Sequence, residues 1–269
     1  MLPFFHACSP VPSAVAPPEH QVEHRPVPRR VGGGGEDHDV NRPYAAFHAP
    51  RFAFLDKVLA ERVLDPRARV LDIGRSPLTA QLSRSLNRPV DSLGLEPDQD
   101  FSNGRHFSFD LNRAEDPRRW RSDLGPYEVV VFAEVIEHLY TAPELVLSFL
   151  RALLVPGGVL VLQTPNAASL RKRLKLLLGR NPYERIRVDR SNPGHFREYT
   201  VNELRSIVSG AGFAVQEVWT RFYFDARYAR HETGDELPSL WIGGMKNILN
   251  RLIPGSLSEG ITLLATTRS

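Results

Sequence analysis

The chain is predicted to fold as an α/β protein: a mostly parallel sheet with helices on both faces. Three observations predict it. Val129-Val130-Val131-Phe132 and Gly158-Val159-Leu160-Val161-Leu162 are short β-branched runs, suited to strands buried on both faces. Between them stand a helix-like segment, Glu144 to Leu154, and the turn Pro156-Gly157-Gly158, which makes one strand–helix–strand unit. Finally, several apolar runs end in an acid or a glycine, and ligands of open α/β sheets sit outside the carboxyl ends of the strands.

The elements follow in order. Phe52, Leu55, Val58, Leu59 and Val63 recur at helical spacing, giving an amphipathic helix that begins near Tyr44 and stops at Asp65-Pro66. Arg69 to Gly74, "RVLDIG", reads as a first strand, and a helix with Leu78, Leu82 and Leu86 on one face comes next. Val90 to Leu95 is a second strand ending at Glu96, and His106 to Leu111 a weak third carrying Asp110 near its end. The two runs above are the fourth and fifth. Thr200-Val201-Asn202-Glu203 is a capping box opening a helix with Leu204, Ile207 and Val208 inward, closed by Gly210 and Gly212. Phe213 to Trp219 is a sixth strand. Leu240, Trp241, Met245, Ile248 and Leu252 read as a further amphipathic helix, and Gly260 to Thr266 as a last strand.

Composition narrows the class. The chain has 269 residues, 42% hydrophobic and 24% charged, enough for one sizeable core. Residues 1–40 hold seven prolines, four scattered histidines and the run Gly32 to Gly35, a composition expected to stay a disordered tail. The single cysteine, Cys8, excludes an intrachain disulfide or a cysteine metal cluster, and no metal is expected. No apolar run is long enough to span a bilayer and no signal peptide is legible, so a cytoplasmic location is expected. Residues 171–197 carry nine Lys or Arg against Glu184 and Asp189, a local +7 in a chain whose formal charge is +3.

The richest segment is Glu134-Val135-Ile136-Glu137-His138-Leu139, two carboxylates and an imidazole at the tip of a buried strand. Together with "L-x-P-G-G-x-L" at Leu154–Leu160 and "GHFREYTVNELRSIVSGAGF" from Gly194, it resembles class I S-adenosylmethionine-dependent methyltransferases of the small-molecule or glycan type. The resemblance runs from about Arg69 to Arg268. It implies a Rossmann-like seven-stranded sheet, the last strand antiparallel and inserted between the fifth and sixth, within a domain at 41–269. It also implies a basic lid inserted at about 167–199.

The same resemblance assigns site residues. Asp72 would accept hydrogen bonds from the cofactor's ammonium group or ordered water, and Gly74 would let the backbone approach closely. The family usually continues with two more glycines; here Arg75-Ser76-Pro77 follows. Glu96 would take both ribose hydroxyls. Asp110 would contact the adenine amine, with the Leu111 N–H beside it. Glu134 would lie near the methionine portion. Glu137 and His138 would polarise or deprotonate an acceptor hydroxyl, with His195 a second base. Asn166 would line the acceptor pocket.

The expected activity is methyl transfer from S-adenosylmethionine to a small-molecule, sugar or lipid-linked acceptor, one that could be anionic, at oxygen. The leucine-rich basic segment fits an amphipathic cap with peripheral membrane contact as well as a solvated face. Nucleic acid is disfavoured, since aromatics are scarce there and no nucleic-acid motif accompanies it. Two rivals share the sheet: a catalytically silent scaffold, and a nicotinamide-dependent reductase disfavoured by the missing phosphate loop.

Overall fold

Strand residues alternate between two apolar layers, and that alternation fixes the architecture. In the computed structural model, Val129 and Val131 of the central strand face one core and Val130 and Phe132 the other. The structure describes residues 42–62, 65–189, 192–226, 244–245, 247–248 and 252–268. The expected tail at 1–40 lies outside them, as do Val63, Leu240 and Trp241.

Eight strands form one sheet: β1 (Val70–Ile73), β2 (Asp91–Gly94), β3 (Gln99–Phe101), β4 (Gly104–Ser108), β5 (Tyr127–Ala133), β6 (Leu154–Pro165), β7 (Phe213–Arg221) and β8 (Gly260–Thr267). Their order is β3-β4-β2-β1-β5-β6-β8-β7. The pairs among β4, β2, β1, β5 and β6 are parallel. β8 is antiparallel to both neighbours, Leu162 opposite Leu263 on one side and Val218 opposite Leu263 on the other. One strand exceeds the expected seven. β3 is a three-residue edge strand hairpinned onto β4, polar and exposed except at Phe101.

Among the described residues the α-helices with full bounds are α1 (Arg42–Arg62), α2 (Pro77–Ser85), α3 (Pro143–Leu153), α4 (Leu170–Leu177) and α5 (Val201–Gly210). Phe52, Leu55, Val58 and Leu59 of α1 pack with Leu78 and Leu82 of α2 on one face. Val146, Phe149, Leu150 and Leu153 of α3 and Leu204 and Val208 of α5 pack on the other. The capping box of α5 forms, Thr200 Oγ1 accepting from Glu203 N and the Glu203 carboxylate accepting from Thr200 N. α4 buries none of its residues, and Leu174, Leu176, Leu177 and Leu178 are exposed.

Two expectations need correction. The third parallel strand ends at Ser108, not at Leu111, because Asp110 uses its side chain to cap a short 3-10 turn, Leu111–Glu115. Met245, Ile248 and Leu252, expected on the buried side of an amphipathic helix, are exposed.

Candidate active site

The loop after β1 decides what can bind at the strand tips. Ser76 caps α2, accepting from Leu78 N, while Thr79 Oγ1 accepts from Ser76 N at 3.1 Å. The same Thr79 hydroxyl donates to Asp72 Oδ2 at 2.6 Å. A chain of side-chain bonds thus shapes the loop where relatives use glycines. Arg75 swings out to lay its guanidinium 3.5 Å from the Phe101 ring centroid, so the extra strand β3 supplies its seat.

Asp72 is therefore placed differently from the expectation. It is 1% exposed, lies under the loop and does not line the cavity. Burial pushes its carboxyl up to about 7, opposed by the Thr79 hydrogen bond and by the charge of Arg51. Its contacts make it a positioning residue for the loop.

Above the strand tips opens a cavity of about 700 Å³, within the range that holds drug-sized ligands. Gly74, Glu96, Asp110, Leu111 and His138 all line it, as does Arg75 at its edge. Gly74 has φ +81°, and a Cβ there would stand 3.0 Å from Val135 Cγ2. A Cβ on Gly94 would meet Glu96 Oε2 at 2.9 Å. The Glu96 side chain is 64% exposed and lies 3.5 Å from His106 Nε2. Asp110 Oδ1 accepts from Asn112 N at 2.9 Å, leaving its other oxygen without a hydrogen bond among the described residues. Ile186, Arg187, Asn192, Pro193 and Phe196, from the segment after α4, form the roof.

Behind the cavity lies a polar cluster. Glu134 holds a left-handed backbone, φ 56°, uncommon for a non-glycine residue, and its carboxylate is 3.9 Å from Arg51. Glu137 is fully buried. Its Oε2 accepts from Thr164 Oγ1 at 3.0 Å, while Oε1 has no hydrogen-bond partner among the described residues. Burial, with the neighbouring charge of Glu134, pushes its carboxyl well above the usual range. His138 donates from Nδ1 to Gly194 O at 3.0 Å, which leaves Nε2 with a lone pair. His195 packs edge-on against it, ring centroids 4.7 Å apart, with Nδ1 3.2 Å from Glu198 Oε1. Burial, reinforced by His138, pushes the His195 imidazole down to about 4.

Of the expected site residues, Gly74, Glu96, Asp110, Leu111 and His138 share one cavity; Asp72, Glu134, Glu137 and His195 do not line it. Asn166 is a structural clamp, its side chain donating to Ser258 O and accepting from Ala168 N. Sequence reasoning passed over Arg51, Lys172 and Glu198. Lys172 pairs with Glu198 and donates to Asn166 O, and burial brings its ammonium down to about 8. Only its place in a run of basic residues marked it, and that run reads as a solvated face.

A parallel sheet with an inserted antiparallel strand, bearing a cavity at the tips of β1, β2 and β5, defines a class I, S-adenosylmethionine-dependent methyltransferase fold. The profile of the methyltransferase domain family matches residues 44–218, and the chain belongs to that family. Among solved structures, a chain of the Haloferax volcanii complex between the Trm112 methyltransferase activator and a methyltransferase has a TM-score of 0.54 at 13% identity, covering 86% of this chain and 94% of that one. A Bacillus halodurans protein described as a methyltransferase scores 0.53 at 14% identity, over 81% of this chain and 100% of that one. The (4+2)-cyclase SpnF scores 0.51 at 15% identity, over 82% of each chain. At these identities the likeness is one of fold. No curated protein matches the sequence significantly.

The cofactor of the family is S-adenosylmethionine, and the residues present fit it. Gly74 and Gly94, at the tips of β1 and β2, both line the cavity. Arg75, the residue that could have filled the hollow, is stacked aside on Phe101.

Proposed function

We propose that this chain transfers a methyl group from S-adenosylmethionine to a hydroxyl oxygen of a small-molecule or glycan acceptor. The observation that carries the reading is the shared cavity: Gly74, Glu96, Asp110 and Leu111 line it with His138, so cofactor contacts and a free imidazole lone pair meet in one space. When bound, the cofactor would supply an electrophilic methyl group for the acceptor oxygen. Glu96 would accept the ribose hydroxyls, Asp110 and the Leu111 N–H would hold the adenine, and Gly74 would let the methionine portion lie against the backbone. The chain's remaining task is to orient the acceptor oxygen in line and to polarise it, since positioning does much of the work of such a displacement. Glu137, His138 and His195 supply the polarising groups.

On this reading the segment at 167–199 is a basic lid, its charge suited to an anionic acceptor or one held at a membrane surface, and the compartment is the cytoplasm. No helix among the described residues is long and apolar enough to cross a membrane. Isothermal titration with S-adenosylmethionine, and separately with NAD, tests the core of the proposal. Micromolar binding of the first and none of the second is the expected outcome. No binding of either would leave a scaffold, and NAD binding a reductase. A hydroxylated acceptor panel, read out by the thioether product, tests the oxygen assignment.

A further inference from the structure

Glu137, His138 and His195 offer one ligand atom each within 4.8 Å of one another, and each side chain is arranged in the same way. One heteroatom is tied to a supporting group: Glu137 Oε2 to Thr164, His138 Nδ1 to Gly194 O, His195 Nδ1 to Glu198. The other heteroatom is left with no hydrogen bond among the described residues: Glu137 Oε1, which is fully buried, and the two Nε2 atoms. Supporting bonds of that kind fix the tautomer and aim the free nitrogen in metal-binding histidines. Orphaning a buried carboxylate oxygen is otherwise unfavourable.

We propose that Glu137 Oε1, His138 Nε2 and His195 Nε2 bind a divalent transition-metal cation of the manganese or zinc type, whose open positions take the acceptor hydroxyl. This deepens the methyltransferase reading and rests on it. It also replaces the sequence expectation of no metal.

The neighbouring ion pairs agree: Arg51 stands 3.9 Å from Glu134 and Lys172 pairs with Glu198, whereas Glu137 Oε1 has no such partner among the described residues. Two imidazoles and one carboxylate suit borderline cations better than magnesium or calcium, which prefer all-oxygen sets. Ligands at about 2.1 Å from one ion stand roughly 3–4 Å apart, so small side-chain rotations complete the set. His138 lines the cofactor cavity, which puts an acceptor oxygen on the cation beside the methyl donor. A bound cation lowers the pKa of a coordinated hydroxyl, whose proton then leaves to solvent.

The test uses the full chain, stripped with chelator and titrated with Mn²⁺, Zn²⁺ or Mg²⁺ alone, followed by calorimetry and metal analysis. One equivalent of Mn²⁺ or Zn²⁺ is expected, and affinity should fall at least about tenfold in Glu137→Gln and in His195→Gln. Glu198→Gln, which keeps an oxygen toward the far nitrogen of His195 but weakens the pair with Lys172, should lose about tenfold to a hundredfold. Circular dichroism verifies folding, and should Glu137→Gln misfold, His195→Gln decides. No stoichiometric uptake by the wild type, or uptake unchanged in the variants, overturns the site. Titration of the stripped protein with S-adenosylmethionine separates the two readings. Cofactor binding without metal uptake removes only the cation, whereas loss of cofactor binding removes the methyltransferase reading itself.

Discussion

Replacing Asp72 by Asn should make the cofactor-free protein more stable at alkaline pH. Asp72 is buried and its carboxyl is raised from 3.8 to about 7, chiefly by desolvation. Because the folded value lies above the unfolded one, the protonated form is favoured by folding. The stability it contributes is fully present below about pH 4 and is lost as the pH rises to about 7. At about 1.4 kcal/mol per pKa unit, the loss is on the order of 4 kcal/mol, of which about 3 falls between pH 5 and 8. Asn keeps an oxygen to accept from Thr79 and carries no charge, so it does not share the loss. Other buried carboxyls, Glu134 and Glu137 among them, are present in both proteins and cancel in the difference. Urea denaturation at pH 5, 6, 7 and 8, followed by circular dichroism, should show the variant gaining steadily on the wild type. For a chain of this size each kcal/mol moves the melting temperature by about 2–4 °C, so the gap should widen by roughly 6–12 °C over that range. A gap that does not change with pH would refute the argument, since it would mean that the folded Asp72 carboxyl is already ionised at pH 5, as it is in the unfolded chain.

Further substitutions test the cavity. Glu96→Ala should weaken S-adenosylmethionine binding by about tenfold to a hundredfold in calorimetry, the worth of hydrogen bonds to a charged acceptor, and unchanged affinity would remove the ribose assignment. Gly74→Ala puts a Cβ at φ +81° and 3.0 Å from Val135 Cγ2, so thermal melts should show destabilisation of about 1–3 kcal/mol. Adding Val135→Ala should recover the steric part only, leaving the backbone part; full recovery would mean that the conformation is not strained.

The sheet was legible because its strands are two-sided. Val129–Ala133 of β5 and Val159–Leu162 of β6 are continuous apolar runs, too short for a buried helix. β3 was not legible: Gln99-Asp100-Phe101 has three residues, two of them exposed, and exists because it pairs with β4. The cavity lining was legible wherever an acid or glycine ends a strand, as at Gly74 and Glu96. The surroundings of Asp72 were not legible, because its neighbours in sequence do not reveal Thr79 of α2 as its partner. The proximity of Glu137, His138 and His195 was hidden for a similar reason. His195 is distant from Glu137 and His138 in the chain and reaches them through contacts made after folding, Phe196 N donating to Glu137 O and His138 to Gly194 O. Lys172 and Glu198 become partners only across that same fold.

The interposed position of β8 has a consequence for how the sheet is completed. Among the described residues β7 has no neighbour in the sheet except β8, although it precedes β8 in the chain. Its ladder therefore waits until a later segment has docked against β6, a contact between residues distant in sequence and so slow to form. A lesion in Gly260–Thr267 would unmoor two strands at once and strip α5 of much of its backing, while the parallel half that forms the strand tips could still assemble.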